Sequence, residues 1–258
     1  MFKKAVIPVR LLKPIIGFPR QVEFFKRKGQ WLGSLCYNTP CAATIKVTGA
    51  IGIDRNSVDN VAILADPQTG TVRRLGFNPA RTKESLRGRR KNLQKAGKRR
   101  LLSKLRLKHS RRMTHENHRA SKSIVDYAAT HCRAVTLERL VGVNAVGSKI
   151  RRNSETQNWA FAQLESFLVY KCALRGVPVI WVDPAFTSQT CTHCWTRHKP
   201  VGKVFRCASC GRIVHKDVNA AFAIGYLGED VLDGGSGSLN VLPLRCFGDA
   251  RAGKVGCL

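Results

Sequence analysis

Seven residues of this chain have the types and spacing to do chemistry. Four are cysteines in two C-x-x-C pairs, Cys191/Cys194 and Cys207/Cys210; three are carboxylates, Asp54, Glu138 and Asp217, each standing where an apolar segment ends or begins. The twelve residues between the cysteine pairs suffice for a β-hairpin that folds one pair against the other. Four thiolates at about 2.3 Å from one Zn²⁺ make a closed tetrahedral site with no position left for substrate, so the zinc expected here is structural. Thioredoxin-type dithiol chemistry is the main rival, opposed by the doubled spacing, and an iron–sulfur cluster is a further one. His193, His198 and His215 lie in the same stretch and read as surface or nucleic-acid contacts, because the four cysteines already complete a ligand set.

The acids stand out because the chain has so few, 16 Asp and Glu against 45 Lys and Arg. Asp54 closes "GAIGID", Glu138 closes "AVTLE", and Asp217 opens "DVNAAFAIG". Singly, each has a plain explanation: a helix N-cap for Asp217 and strand-end solvation for the other two. Together they have a mechanism. Three carboxylates at one end of a sheet hold two divalent cations about 4 Å apart, one activating water and the other stabilising the leaving oxygen of a phosphodiester. Hard oxygen ligands suit Mg²⁺ or Mn²⁺, distinct from the thiolate zinc.

The elements that must position these residues are legible from pattern. "GAIGIDRNSVDNVAILADPQTGTVRRLGF" reads as a β-meander whose first strand ends at Asp54. Residues 79–130 turn helical and strongly basic, with only Glu84 and Glu116 as acids between Arg81 and Lys122; a one-signed run this long needs an external anion. "CRAVTLE" is a buried strand ending at Glu138. An amphipathic helix capped at Asn153 or Ser154 follows, with Leu164, Phe167 and Leu168 at core spacing and Gly176 as its stop. "VPVIWVD" is the next strand, and a helix from about Asp217 to Tyr226 follows the cysteines. Upstream, "QVEFFKRKGQWLGSLCYN" reads as two strands joined at Lys28-Gly29, and "AATIKVTG" as a third. This combination of meander, later parallel strand and terminal helix, each carrying one acid, describes a ribonuclease H-like α/β fold: a mixed sheet flanked by helices, with an inserted zinc ribbon and a short N-terminal β segment.

A formal charge of +29 selects a polyanionic partner, nucleic acid above all. The apolar runs are far shorter than a bilayer needs, and Pro8, Arg10, Lys13 and Pro14 interrupt any signal-like start. The expected setting is cytoplasmic and nucleoid-associated, with no membrane partner. That setting makes the scattered Cys36, Cys41, Cys132, Cys172, Cys246 and Cys257 ordinary buried thiols.

"GIDRNSVDNVAILAD", "VTLERLVG", "QNWAFAQLESFLVYKCALRGVPVIWVDPAFTSQTCTHCW" and "FRCASCGRIVHKDVNAAFAI" resemble, in order and spacing, the RuvC-like nuclease core of TnpB, a family similar to type V CRISPR effectors and Fanzor proteins. The resemblance runs from about residue 20 to 227. It implies RNA-guided, transposon-associated cleavage of DNA, with Asp54, Glu138 and Asp217 as catalytic magnesium ligands and Cys191, Cys194, Cys207 and Cys210 as zinc ligands. The implied partners are target DNA and a guide RNA from the element's end.

The resulting domain expectation is a β-rich barrel remnant at 1–48, a RuvC-like core at 49–185 with a basic helical insertion at 79–130, a ribbon at 186–214, a final core helix at 215–228 and a Gly-rich tail at 229–258. Only 53 residues precede Asp54, fewer than is usual in TnpB. A truncated or decayed copy that binds RNA or DNA without efficient cleavage is therefore the alternative reading, and strand transfer by a transposase on the same fold is a third. Two further departures, the Arg55-Asn56-Ser57 turn and Arg139, remove no ligand.

Overall fold

The computed structural model of the chain describes residues 10–11, 17–27, 29–55, 59–76, 79–139, 154–235 and 238–240. They fall into two compact units divided after Cys41. The first contains an antiparallel hairpin of β1 (Phe18–Arg27) and β2 (Gln30–Asn38). Gly29, at φ 83°, occupies the left-handed position that a tight two-residue turn requires. The pairing shifts register between Pro19 and Gln21, where proline has no N–H to give the ladder. The expected strand at "AATIKVTG" does not form. Its backbone instead bonds to helix and turn ends within the second unit: Ala42 N to Ala173 O, Ile45 N to Gly176 O and Thr48 N to Cys132 O.

The second unit is built on a six-stranded mixed sheet. Its strands are β3 (Gly49–Arg55), β4 (Ala62–Ala65), β5 (Val72–Leu75), β6 (Arg133–Glu138), β7 (Val179–Val182) and β10 (Ser238–Asn240), in spatial order β10-β7-β6-β3-β4-β5. The meander β3-β4-β5 is antiparallel, while β3, β6 and β7 run parallel. The remaining strands, β8 (Val204–Arg206) and β9 (Ile213–His215), form a small separate hairpin.

Strand alternation assigns the two faces of the sheet. Ile51, Ile53, Leu64, Val135 and Leu137 pack with Ile124, Leu164 and Leu168 from α2 (Arg99–Thr130) and α3 (Ser154–Arg175). Ala50, Ala134 and Ile180, and separately Ile63 and Ala65, pack against Ile224, Val218 and Ala221 of α4 (Lys216–Leu232). By the same parity Gly52, Asp54, Thr136 and Glu138 belong to the α4 face.

That face is lined with small residues, and the helix comes very close. A Cβ on Gly52 would lie 1.9 Å from Ala221 O and 2.3 Å from Gly225 N; one on Gly228 would lie 1.9 Å from Thr136 Oγ1. Further down, Gly49 meets Glu229, so residue numbers rise along α4 as they fall along β3. The N-terminus of α4 therefore stands over the C-terminal end of β3.

The basic stretch forms two helices, α1 (Pro79–Lys95) and α2, where the sequence pattern suggests one helical region. Gly97 at φ 64° ends α1 with the paired bonds Lys98 N to Leu93 O and Gly97 N to Gln94 O, a Schellman termination. At the other end of the chain the boundary expected at 228 is corrected. The helix α4 continues to Leu232, and Ser238–Asn240 joins the sheet as β10 against β7, so this stretch supplies an edge strand where a Gly-rich tail is expected. Of the thiols expected to be buried, Cys172 is, whereas Cys36, Cys41 and Cys132 are exposed; residues 241–258, with Cys246 and Cys257, and the Asn153 cap lie outside the described residues. Among the described residues no helix is long and apolar enough to cross a membrane.

Candidate functional site

Asp54 and Glu138 are brought together by sheet register. Ile53 pairs with Leu137 across the parallel β3–β6 ladder, so the next residue of each strand leaves the sheet at the same end and toward the same face. Asp217 lies in the first turn of α4, one turn before the Ala221 that packs on Gly52. The electrostatics follow from this convergence. Burial first, then the charge of Asp217, then that of Glu138 push the Asp54 carboxyl well above the ordinary carboxylate range. Arg55 and Lys216 oppose that rise. Glu138 is raised as well, by burial, against the opposing pull of Thr187 and Arg55.

Several side chains around this centre have no role in the sequence-based site. The Thr187 hydroxyl donates to Glu138 Oε1 and is itself buried. Arg55, nearly inaccessible, donates to Glu165 Oε2 at 2.5 Å and to the backbone carbonyl of Glu138 at 2.7 Å, tying the ends of β3 and β6 to α3. Trp181 Nε1 completes the partners of Glu165 at 3.3 Å. Lys203, on the ribbon, pairs with Asp59 beyond the end of β3.

The four cysteines converge as their spacing predicts. Their Sγ atoms all lie within 4.8 Å of one another, with Cys194 to Cys207 at 3.4 Å and Cys191 to Cys210 at 3.7 Å. Thiolates around tetrahedral zinc stand about 3.8 Å apart, so the donor set and spacing fit such an ion. The two knuckles repeat one bond: Trp195 N to Cys191 O and Gly211 N to Cys207 O. Both residues take positive φ, 60° and 74°, and Trp195 does so without glycine's freedom. His198 Nε2 lies 3.1 Å from Thr196 Oγ1 and 3.1 Å from Ser209 Oγ, and His215 Nδ1 lies 3.9 Å from Asp217. Among the described residues the metal-competent cluster contains cysteines alone.

A family model described as "Cas12f1-like, TNB domain" matches residues 161–224, the stretch holding α3, β7, the ribbon and the start of α4. The curated endodeoxyribonuclease Cas12f1 of Sulfoacidibacillus thermotolerans is 35% identical over 109 residues, covering 41% of this chain and 25% of that protein. The TnpB-like protein MJ0751 of Methanocaldococcus jannaschii is 27% identical over 117 residues, covering 44% and 42%. These matches support a TnpB/Cas12f-family protein.

The fold agrees with that placement. A cryo-EM structure titled as a CRISPR-Cas12f ternary complex superposes with a TM-score of 0.56 over 79% of this chain and 44% of the other, at 19% identity. A Cas12f1–sgRNA–target DNA complex gives 0.56 over 79% and 55%. The matched part thus spans between a quarter and just over half of the length of these relatives.

Proposed function

We propose that this TnpB/Cas12f-family chain carries a RuvC-like, ribonuclease H-type nuclease centre that hydrolyses DNA phosphodiesters under RNA guidance. The observation that supports the reading is the environment of Asp54, whose carboxyl is raised by burial first and then by the charges of Asp217 and Glu138, in a protein of net charge +29. Three crowded, partly buried carboxylates repel one another unless cations sit among them. Oxygen donors of this kind suit Mg²⁺ or Mn²⁺. Bound there, such ions would supply Lewis acidity and lower the pKa of water for attack on phosphorus.

The chain's own part is positioning. The β3–β6 register sets Asp54 beside Glu138, close packing of α4 on Gly52 brings Asp217 over them, Thr187 orients one oxygen of Glu138, and Arg55 fixes its backbone. The Lys- and Arg-rich α1 and α2 supply a field that holds a polyanion. The ribbon's four cysteines would hold zinc in a structural role. The partners are target DNA and a guide RNA, the components bound in the Cas12f1–sgRNA–target DNA complex of that relative, and the setting is the cytoplasm at the nucleoid.

The test is Mg²⁺-dependent cleavage of DNA by the purified chain with co-purified RNA. Asp54→Ala is expected to lower the rate by more than about 10³-fold, as loss of a carboxylate that would hold a catalytic cation costs several kcal/mol of transition-state stabilisation. Equal cleavage by wild type and variant sinks the assignment.

A further inference from the structure

Phe186 stands next to Thr187, the residue bonded to Glu138, and its environment is unusual in three respects. The residue is 46% exposed although its side chain is large and apolar. Its backbone sits at φ 65°, a left-handed conformation that bulky residues rarely adopt. That conformation is over-determined: the Phe186 carbonyl accepts from Gln189 N at 2.8 Å, Thr190 N at 3.0 Å and Thr190 Oγ1 at 3.0 Å. The loop thus holds an aromatic ring out in solvent against both its backbone preference and its hydrophobicity.

A cation backs the ring. The Arg197 guanidinium lies 4.1 Å from its centroid and is carried on the first zinc knuckle, where Thr190 and Arg197 form a β-bridge. An exposed aromatic plane backed by an arginine, on a strongly basic chain and one residue from a contact to Glu138, has the chemistry that binds an unpaired base and its adjacent phosphate. A core-filling role is excluded by the exposure, and a protein partner is disfavoured by the charge.

We propose that Phe186 and Arg197 form a stacking platform for one unpaired nucleobase of the strand presented to the Asp54–Glu138–Asp217 centre. The ring supplies the stacking face and the guanidinium the phosphate contact. The strand's location rests on the nuclease reading above; the stacking itself does not. Because every base has a π-face, the platform accepts single-stranded DNA or RNA with little sequence preference and rejects fully paired duplex.

The experiment uses the full chain carrying Asp54→Asn, so that no strand is cut, titrated with oligonucleotides containing 2-aminopurine. Single-stranded DNA and RNA are run in separate arms, with a paired duplex as control. Stacking is expected to quench the fluorescence of both single strands. Adding Phe186→Gly is expected to abolish the quenching and weaken single-strand binding roughly 5- to 150-fold, the span of base–aromatic stacking, while leaving duplex binding unchanged. Glycine relieves the positive φ, so thermal stability is expected to hold or rise, and Phe186→Trp is expected to restore quenching. Undiminished quenching in Phe186→Gly overturns the proposal, as does equal weakening of single-strand and duplex binding. Failure of the nuclease reading shows separately, as cleavage by the parent chain that Asp54→Ala does not reduce.

Discussion

Asn219 donates its side-chain amide to the backbone carbonyl of Thr190 at 2.7 Å, joining the helix that bears Asp217 to the loop that enters the metal ribbon. The same side chain accepts from Thr192 N at 3.4 Å and Thr192 Oγ1 at 3.2 Å, and it is fully buried. A buried amide that spends both ends on one loop makes ribbon and helix a single unit. This explains why four cysteines and a lone carboxylate adjoin in sequence: the first knuckle is a strut for the turn that presents Asp217.

Replacing Asn219 with Ala should therefore cost more than one hydrogen bond. The Thr190 carbonyl and Thr192 N–H lose their buried partner, a penalty of about 1–3 kcal/mol. The expected outcome in chemical denaturation is a loss of that size, with bound zinc still stoichiometric because the four thiolates are untouched. Mn²⁺ binding at the carboxylates should weaken in the same variant. Unchanged Mn²⁺ affinity would show that the strut does not position Asp217.

Close packing of α4 on the sheet makes a second prediction. A methyl group at residue 52 would overlap Ala221 O and Gly225 N, both backbone atoms that cannot rotate aside. Gly52→Ala should push the helix outward and destabilise the chain by about 1–3 kcal/mol, the usual range for overpacking. DNA cleavage should fall with it, since Asp217 rides on that helix one turn away. Wild-type stability and activity in Gly52→Ala would refute the close approach.

These two glycine and asparagine contacts also mark where sequence reasoning stops. The four-cysteine cluster was legible because cysteine pairs have a narrow range of uses, and Asp54, Glu138 and Asp217 could be proposed because scarce acids end or open periodic apolar segments. Thr187 and Asn219 lay within segments whose family resemblance was plain, yet a single threonine or asparagine carries no period or spacing that states its partner. Arg55 read as a turn residue, because only the fold brings Glu165 to it from 110 positions away. The segment 42–48 looked like a strand from its β-branched residues, but a strand needs a neighbour, and the turn after α3 took its backbone bonds instead. The end of α4 and β10 were lost to the glycine-rich composition around them.

Two aspartates on neighbouring strands give opposite pH dependences. Asp54 has its carboxyl raised above the ordinary 3.8, so in magnesium-free solution its contribution to stability is fully present below 3.8 and is lost as pH rises through the raised value. Asp66 is the reverse. Burial alone would raise it, but the Tyr127 hydroxyl at 2.9 Å and Arg133 at 3.2 Å hold it below 3.8; its contribution is present above that value and lost as pH falls through the folded-state value. Urea melts of the zinc-loaded, magnesium-free chain across pH should show Asp54→Asn more stable than wild type at neutral pH, with the gap closing in acid. Asp66→Asn should be less stable at neutral pH by up to about 3–5 kcal/mol, since the buried Arg133 loses its counter-charge and keeps only hydrogen-bond acceptors such as Thr48 Oγ1. Destabilisation by Asp54→Asn at neutral pH would contradict the crowding of the three carboxylates.

Thr187 tests how finely the centre is held. Its hydroxyl donates to Glu138 Oε1, fixing one carboxylate oxygen and leaving the other for the proposed cation. Groups that orient a metal ligand in this way typically change metal affinity or activity 10- to 100-fold when removed. Thr187→Val keeps the shape and deletes the donor, so Mn²⁺ affinity and DNA cleavage should both fall by roughly that factor. Zinc content should stay constant, because the ribbon's thiolates are not involved. Thr187→Ser restores the hydroxyl on a less restricted side chain and should recover most of the Mn²⁺ affinity. A structural role alone would give the opposite pattern, with valine filling the site as well as threonine and serine leaving a small void.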